Sequence, residues 1–407
     1  MAVQFELVGK LSVGKDSDKF KSYEEKTYDS GWTNKTFKFN VISGDNRFMM
    51  QSKGGYFADG HGEIFVFGKD RVDANGKVTK GEAFRIPWKE RTTHPRLSEV
   101  VEWKKYTVDL ETGSFRRELQ SALNKVKDGG ELTEAEISKF GASDVKGLEA
   151  ALEKSNKKRK EFIAEADFVD FMKKVATSET YKNKTFRIRG TYDLQYSEAN
   201  NKFYGNYVPQ RVYLVDDETE DMAEATATLF YDSEALVDAT EEKGKYFVNA
   251  YVQTYDSARK GNIFAPYVIA IDANDNEKKV KKLVEIFTVE DGVKELGVVV
   301  TLLDGAQRSA IKLEDLDEET QENILFGLTT LEEVARELGG STYGERITEN
   351  RFSKLGRGYA KGRQDTAYES EDLIVKPLEK ADTNVFAATD SDNEDTSLED
   401  DDFDLFN

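Results

Sequence analysis

Several stretches of this chain alternate aromatic and cationic side chains against apolar ones, and that pattern suits one kind of chemistry. In residues 185–195, Phe186, Ile188 and Leu194 form an apolar set, so Arg187 and Arg189 point the other way. In the next stretch Phe203, Tyr207 and Arg211 fall on one face, and Tyr204, Val208, Val212 and Leu214 on the other. Over residues 245–255, Asn249, Tyr251, Gln253 and Tyr255 alternate against Val248, Ala250 and Val252. Nearer the N-terminus, Trp32, Lys35, Lys38, Arg47, Trp88 and Trp103 offer similar material. Rings beside guanidinium and ammonium groups suit unpaired bases and phosphates. Each base stacks for about 1–3 kcal/mol with little sequence preference, while Lys and Arg follow the backbone. The expected DNA-binding set is Trp32, Lys35, Lys38, Arg47, Trp88, Arg187, Arg189, Phe203, Tyr207, Arg211, Tyr251 and Tyr255. Tyrosine also favours strand surfaces for structural reasons, so the composite carries this expectation rather than any single residue.

Other chemistries lack their groups. The 407 residues include no cysteine and only two histidines, His61 and His94, which excludes disulfides, thiol nucleophiles, zinc–thiolate sites and iron–sulfur clusters. His61 sits in Asp59-Gly60-His61-Gly62 and His94 precedes Pro95, positions that suit loops and caps better than ligation. No phosphate loop, HExxH, GxSxG or dinucleotide-binding glycine pattern occurs. The expectation is a protein that is not an enzyme, with no catalytic residue, no metal site and no cofactor. Carboxylates are so numerous that a magnesium site built only of Asp and Glu stays open as a third reading.

The elements that must position these side chains are mostly strands. Residues 36–42 (TFKFNVI) alternate cleanly, and further short strands are expected near 3–13, 47–51, 63–67, 83–88 and 100–110. Turn signals part them at Ser43-Gly44-Asp45-Asn46, Lys53-Gly54-Gly55 and Asn75-Gly76. Helical periodicity takes over at 114–178, including a helix over 145–160 that contains the basic run KSNKKRK. Strands return at 185–196, 202–215, 223–231, 245–255 and 262–271. A buried strand at 297–303, a partner strand at 307–313 and a helix at 331–338 follow. Residues 346–363 then place six basic residues among two aromatics and three glycines. The expected fold class is mainly β (α+β overall), with two OB-like β-barrels joined by a helical connector. The expected domains are an N-terminal OB-like β domain over 1–112, the helical connector over 113–180 and a second OB-like β-barrel over 181–280. A small α/β unit with the basic segment over 281–378 and a disordered acidic tail over 379–407 complete the chain.

The formal net charge is −20, from 58 Lys+Arg against 78 Asp+Glu. Residues 381–407 hold ten acidic residues and no basic one, whereas residues 1–110 carry 19 basic against 16 acidic. The acidic total is therefore a poor guide to what the folded part binds. The last eight residues, Asp400 to Asn407, put Phe403, Leu405 and Phe406 at the tip of a like-charged string. Solubility needs none of the three, and a partner's pocket is their expected use.

On this tail, and on the stretch SGWTNKTFKFNVISGDNRF, the chain resembles the single-stranded DNA-binding proteins of bacteria and bacteriophages. It is more similar to the long, multi-domain forms in phages of Gram-positive bacteria than to the bacterial form, which ends Ile-Pro-Phe. The resemblance implies OB folds that coat single-stranded DNA in replication, recombination and repair. It also implies a tail that recruits a polymerase, helicase or primase and competes with DNA for the basic groove. A cytoplasmic location is expected, the host's if the protein is phage-encoded. No run of about 18 apolar residues and no signal-like N-terminus suggest a membrane. The alternative is a non-enzymatic protein–protein scaffold, such as a virion-assembly or inhibitory protein, that never touches DNA.

Overall fold

The computed structural model describes residues 3–72, 76–309, 313, 316–331, 333–334 and 342–376. Phe403, Leu405 and Phe406, with the expected acidic tail, lie outside the described residues, as does most of the helix expected at 331–338. The chain is mainly β. It begins with β1 (Val3–Ser12), β2 (Tyr23–Thr27), β3 (Trp32–Ser43) and β4 (Asn46–Phe57). A long excursion follows, first through β5 (Glu63–Phe67), β6 (Arg71–Val72), β7 (Val78–Thr79), β8 (Ala83–Pro87) and β9 (Tyr106–Asp109). It continues with α1 (Gly113–Lys127), α2 (Glu134–Phe140), α3 (Val145–Asn156), β10 (Arg159–Phe162) and α4 (Glu165–Ala176). Next come β11 (Thr185–Ser197), β12 (Lys202–Leu214), β13 (Met222–Tyr231), β14 (Leu236–Ala239) and the short α5 (Thr240–Lys243). The remaining elements are β15 (Lys245–Asp256), β16 (Gly261–Asp272), α6 (Glu277–Phe287), β17 (Lys294–Ser309), α7 (Glu318–Leu325), β18 (Thr342–Leu355) and β19 (Gln364–Asp365).

Strand pairing closes two five-stranded rings. In the first, β1 pairs antiparallel with β3 and β11, β3 with β4, and β11 with β12, and β12 meets β4 in parallel at Tyr207 and Met50. The second repeats that order. β13 pairs with β15 and β17, β15 with β16, and β17 with β18, and β18 meets β16 in parallel at Arg351 and Ala270. In each ring the first strand lies between the second and the fourth, and the third and fifth close the circle. β1 also pairs with β13, which joins the rings edge to edge. One apolar cluster runs through both, and it includes Phe168, Val169 and Met172 of α4 and Leu283, Ile286 and Phe287 of α6. A helix thus stands between the third and fourth strands of each ring and packs on its core.

The rings cross the boundaries expected at 180 and 280. β11 and β12, expected in the second barrel, close the first ring; β17 and β18, expected in a separate α/β unit, close the second. The described residues as far as Val375 belong to one compact unit. Alternation marks a strand and its buried face, but tertiary packing chooses its partner, and here strands far apart in sequence meet.

Two local expectations also change. The helix expected to reach residue 160 ends at Asn156, because Arg159–Phe162 pairs with β9. The basic run is then held by Lys157–Glu153, Lys158–Glu111 and Arg159–Glu161 ion pairs. Helices α1–α3 carry a core of their own around Leu119, Leu123, Phe140 and Leu148. The basic segment 346–363 is largely structural. Arg346 pairs with Asp304 and Arg351 with Glu349, and Arg363 donates to the carbonyl oxygens of Glu285, Ile286 and Thr288 near the end of α6.

Candidate nucleic-acid interface

Phe37, Phe39, Val41, Phe48 and Met50 point into the first ring and are fully buried. By alternation Trp32, Lys38, Asn40 and Ile42 of β3 and Arg47, Met49, Gln51, Lys53 and Phe57 of β4 face outward. The two strands are in register from Trp32 opposite Phe57 to Ile42 opposite Arg47. β2 adds Lys26 beside Asn34, with Tyr28 just beyond, and β1 adds Lys10 beside Ile42. Trp32 is 37% exposed and lies over Gly55, where a Cβ would come within 2.2 Å of the indole. Glycine at 55 is what lets the indole lie against the sheet. The edge of this ring system continues outward, with Trp32 and Phe57 T-shaped at 5.1 Å and Phe57 stacked on His61 at 4.0 Å. Tyr28 is exposed, with the Lys26 ammonium 5.1 Å from its ring. Among the described residues, Lys10, Lys26, Lys38, Arg47 and Lys53 form no ion pair. This face therefore offers rings among five cations that form no ion pair within the described residues, although Asp217 lies near enough to Lys10 to feel its charge.

Other expected residues face outward but are already engaged. Arg187 and Arg189 both reach Glu6 of β1, at 3.4 and 2.8 Å. Arg211 faces the same way and donates to the Glu102 carbonyl oxygen at 3.4 Å. Trp88 is half-buried, stacked parallel on Tyr56 at 5.3 Å, and carries the Arg91 guanidinium 4.2 Å from its ring. Arg91 is itself paired with Asp167.

Three expected residues face the wrong way for DNA. Lys35 lies three positions from Trp32, and on an alternating strand that spacing puts it inside. It is buried, 2.7 Å from Asp170 of α4 and 3.8 Å from Glu25. Burial alone would lower its pKa; the hydrogen bond and charge of Asp170 outweigh that and hold it raised. Tyr207 and Phe203 point into the first ring, although Tyr207 is four residues from the outward Arg211. The cause is a bulge. Arg189 sits opposite Arg211 but Gly190 sits opposite Pro209, which leaves Gln210 over and inverts the alternation on either side. Pro209 is the trace of that bulge in the sequence. Tyr207 packs against Phe5, Phe48 and Tyr192 at 5.2, 5.7 and 4.7 Å, and burial pushes its hydroxyl pKa well above the ordinary tyrosine value. Phe203 packs on Tyr196.

On the second ring the corresponding face, formed by β15 and β16, is covered in part by the chain itself, around Phe264, Gln253 and Tyr251. Tyr368 meets Phe230 and Phe264 edge-on at 5.8 and 5.0 Å, and Gln253 donates to its hydroxyl at 2.9 Å. Leu373 completes a small core with Phe230, Phe264 and Val293, and Tyr251 packs against it. The recess beside Tyr251 is lined by Asp232, Glu234 and Glu371 and by no cation. Tyr251 is thus not a free stacking surface beside positive charge. Tyr255, in register with Asn262, is 66% exposed.

Five contributors to the open face escaped the sequence reading: Lys10, Lys26, Tyr28, Lys53 and Phe57. Lys53 and Phe57 keep even spacing from Arg47 and were legible as one face, but Lys53-Gly54-Gly55 reads as a turn while the structure runs β4 straight through it. A separate cavity of about 830 Å3 is lined by Tyr192, Tyr207, Tyr267, Lys245, Asp304 and Arg346 among others, and the Tyr267 hydroxyl there is buried without a hydrogen-bond partner. Among the described residues, no three His, Asp or Glu side chains gather as they would around a metal ion, and no helix is long and apolar enough to cross a membrane.

No protein-family model matches the chain, and no curated protein matches it in sequence. Among solved structures it is similar to a single-stranded DNA binding protein from Thermus aquaticus, with 8% identity, 74% of this chain and 85% of that chain covered, and a TM-score of 0.28. A likeness at that score establishes no shared fold.

Proposed function

We propose that this protein is a non-catalytic binder of single-stranded DNA and that the strand lies across the outer face of β3 and β4. The observation that carries the reading is that face itself: Trp32 and Tyr28 exposed and Phe57 half-buried beside them, among Lys10, Lys26, Lys38, Arg47 and Lys53, none of them ion-paired within the described residues. The rings accept bases and the cations follow phosphates. We further propose that both five-stranded rings are OB-type barrels, a reading supported by their shared strand order with a helix between the third and fourth strands. In OB folds the face of strands two and three binds oligonucleotides, and in the first ring those strands are β3 and β4. Within this reading the protein coats single-stranded DNA in replication, recombination or repair in the cytoplasm of a cell or phage host. Phe403, Leu405 and Phe406 are its proposed contact for a polymerase, helicase or primase.

Titration of the full-length protein with fluorescent oligo-dT, oligo-U and duplex DNA tests the proposal. Oligo-dT should bind best, and its affinity should fall steeply with salt as counterions are released. Absence of oligo-dT binding at low salt removes the DNA reading and leaves the protein scaffold.

A further inference from the structure

The excursion between β4 and α4 carries a second group of exposed rings. β5 and β8 pair antiparallel, and Val66 and Ile86 are fully buried on their inner side. Phe65, Phe67 and Arg85 therefore stand on the outer side, with Phe65 directly opposite Arg85. Phe65 is 50% exposed and Trp103 60%. The rings touch in sequence: Phe65 and Phe67 are T-shaped at 5.0 Å, and Phe67 and Trp103 are tilted at 5.3 Å. Contiguous exposed aromatic surface of this kind marks a binding surface.

Two observations select the occupant. The first is continuity. The rings of the proposed DNA face run from Trp32 through Phe57 to His61, and β5 begins two residues later. From His61 to Phe65 the chain spans at most about 14 Å even when extended. The second is charge. Arg85 stands beside Phe65, its side chain 68% exposed even though it pairs with Glu63. Lys104 follows Trp103, and the Lys89 side chain lies against Gly60, where a Cβ would come within 2.9 Å of it. Neither lysine forms an ion pair among the described residues. Rings interleaved with cations, reached directly from another such face, suit a continuing polyanion that carries bases.

We infer that single-stranded DNA leaves the β3–β4 face past His61 and continues onto Phe65, Phe67 and Trp103. The binding site is then longer than one barrel, and the excursion is its second stacking platform. This rests on the proposed function, and the test separates the two.

The test compares oligo-dT of about 8 nucleotides, within the span of one OB fold, with oligo-dT of about 20. The full-length double variant Phe65→Ser/Trp103→Ser should bind the short strand within about twofold of the unaltered protein and the long strand about tenfold or more weakly. A second protein, Trp32→Phe/Trp88→Phe, leaves Trp103 as the sole tryptophan. The long strand should quench its emission and the short one should not. If the unaltered protein binds both strands, yet the double variant keeps full affinity for the long one and Trp103 stays unquenched, the extension is wrong and the β3–β4 reading stands. If the unaltered protein binds neither strand, the proposed function falls and the extension falls with it.

Discussion

The outer face of β3 and β4 and the outer face of β15 and β16 occupy equivalent places in two rings of the same strand order, yet a later segment of the chain packs on part of the second. On the first, rings and five cations that form no ion pair among the described residues face outward. On the second, Tyr368 and Leu373 pack onto Phe230 and Phe264, and Tyr251 looks onto carboxylates. Within the first ring a further contrast runs between β3–β4 and β11: Lys38 and Arg47 have no carboxylate partner among the described residues, whereas Arg187 and Arg189 share Glu6. Alternation is alike in these places. What differs is whether a neighbour from a distant segment has already taken the ring or the charge.

The sharpest division is between inside and outside. Tyr207→Ala removes a packed core ring and should lower unfolding free energy by about 3–5 kcal/mol, read by denaturant titration. Trp32→Ala, on the exposed face, should change it by about 0.5 kcal/mol or less. Alkaline pH reads the same burial. The protonated Tyr207 phenol, its pKa raised in the folded state, contributes stability that is fully present below the ordinary value of 10.0 and is lost as pH rises through the folded value. Tyr207→Phe should therefore blunt the loss of stability above that pH.

Next in size is the contrast between free and paired cations. Lys38→Gln/Arg47→Gln should weaken oligo-dT binding about 20- to 100-fold at low salt and lower the salt slope by about 1.4, as expected for two lost phosphate contacts. Arg187→Gln/Arg189→Gln should shift affinity by less than about threefold. Equal losses from the two pairs would erase the distinction. For the rings, Trp32→Ala should weaken binding by about 1–3 kcal/mol, while Tyr251→Ala leaves it within about 0.5 kcal/mol. The smallest effect sharpens the role of Glu6. Glu6→Gln releases two arginines on the same sheet and should tighten binding by about two- to fivefold, with the gain fading as salt screens it.

Much of the strand inventory was legible, and the reason is local. TFKFNVI at 36–42 alternates so regularly that strand and buried face follow from the pattern, and EIFVF at 63–67 reads as a strand, though its apolar run hides which face is buried. Partnership was not legible, because nothing in β11 announces that it pairs with β1 rather than with its sequence neighbours alone. Site residues divide along the same line. Trp32, Lys38 and Arg47 lie on regular alternation and stand where that pattern puts them. Lys35 was grouped with residues of the opposite face. Tyr207 was misplaced by a one-residue bulge that only Pro209 hints at, and Tyr251 by a covering segment more than a hundred residues away. Glu6, which neutralises the β11 arginines, lies almost at the other end of the first ring's sequence.

Photocrosslinking bound oligo-dT to the full-length protein and locating the adducts by mass spectrometry tests the central claim most directly. The account predicts adducts on peptides containing Tyr28, Trp32 and Phe57. Adducts confined to residues 245–272 of the second ring, with none between 26 and 57, would contradict it.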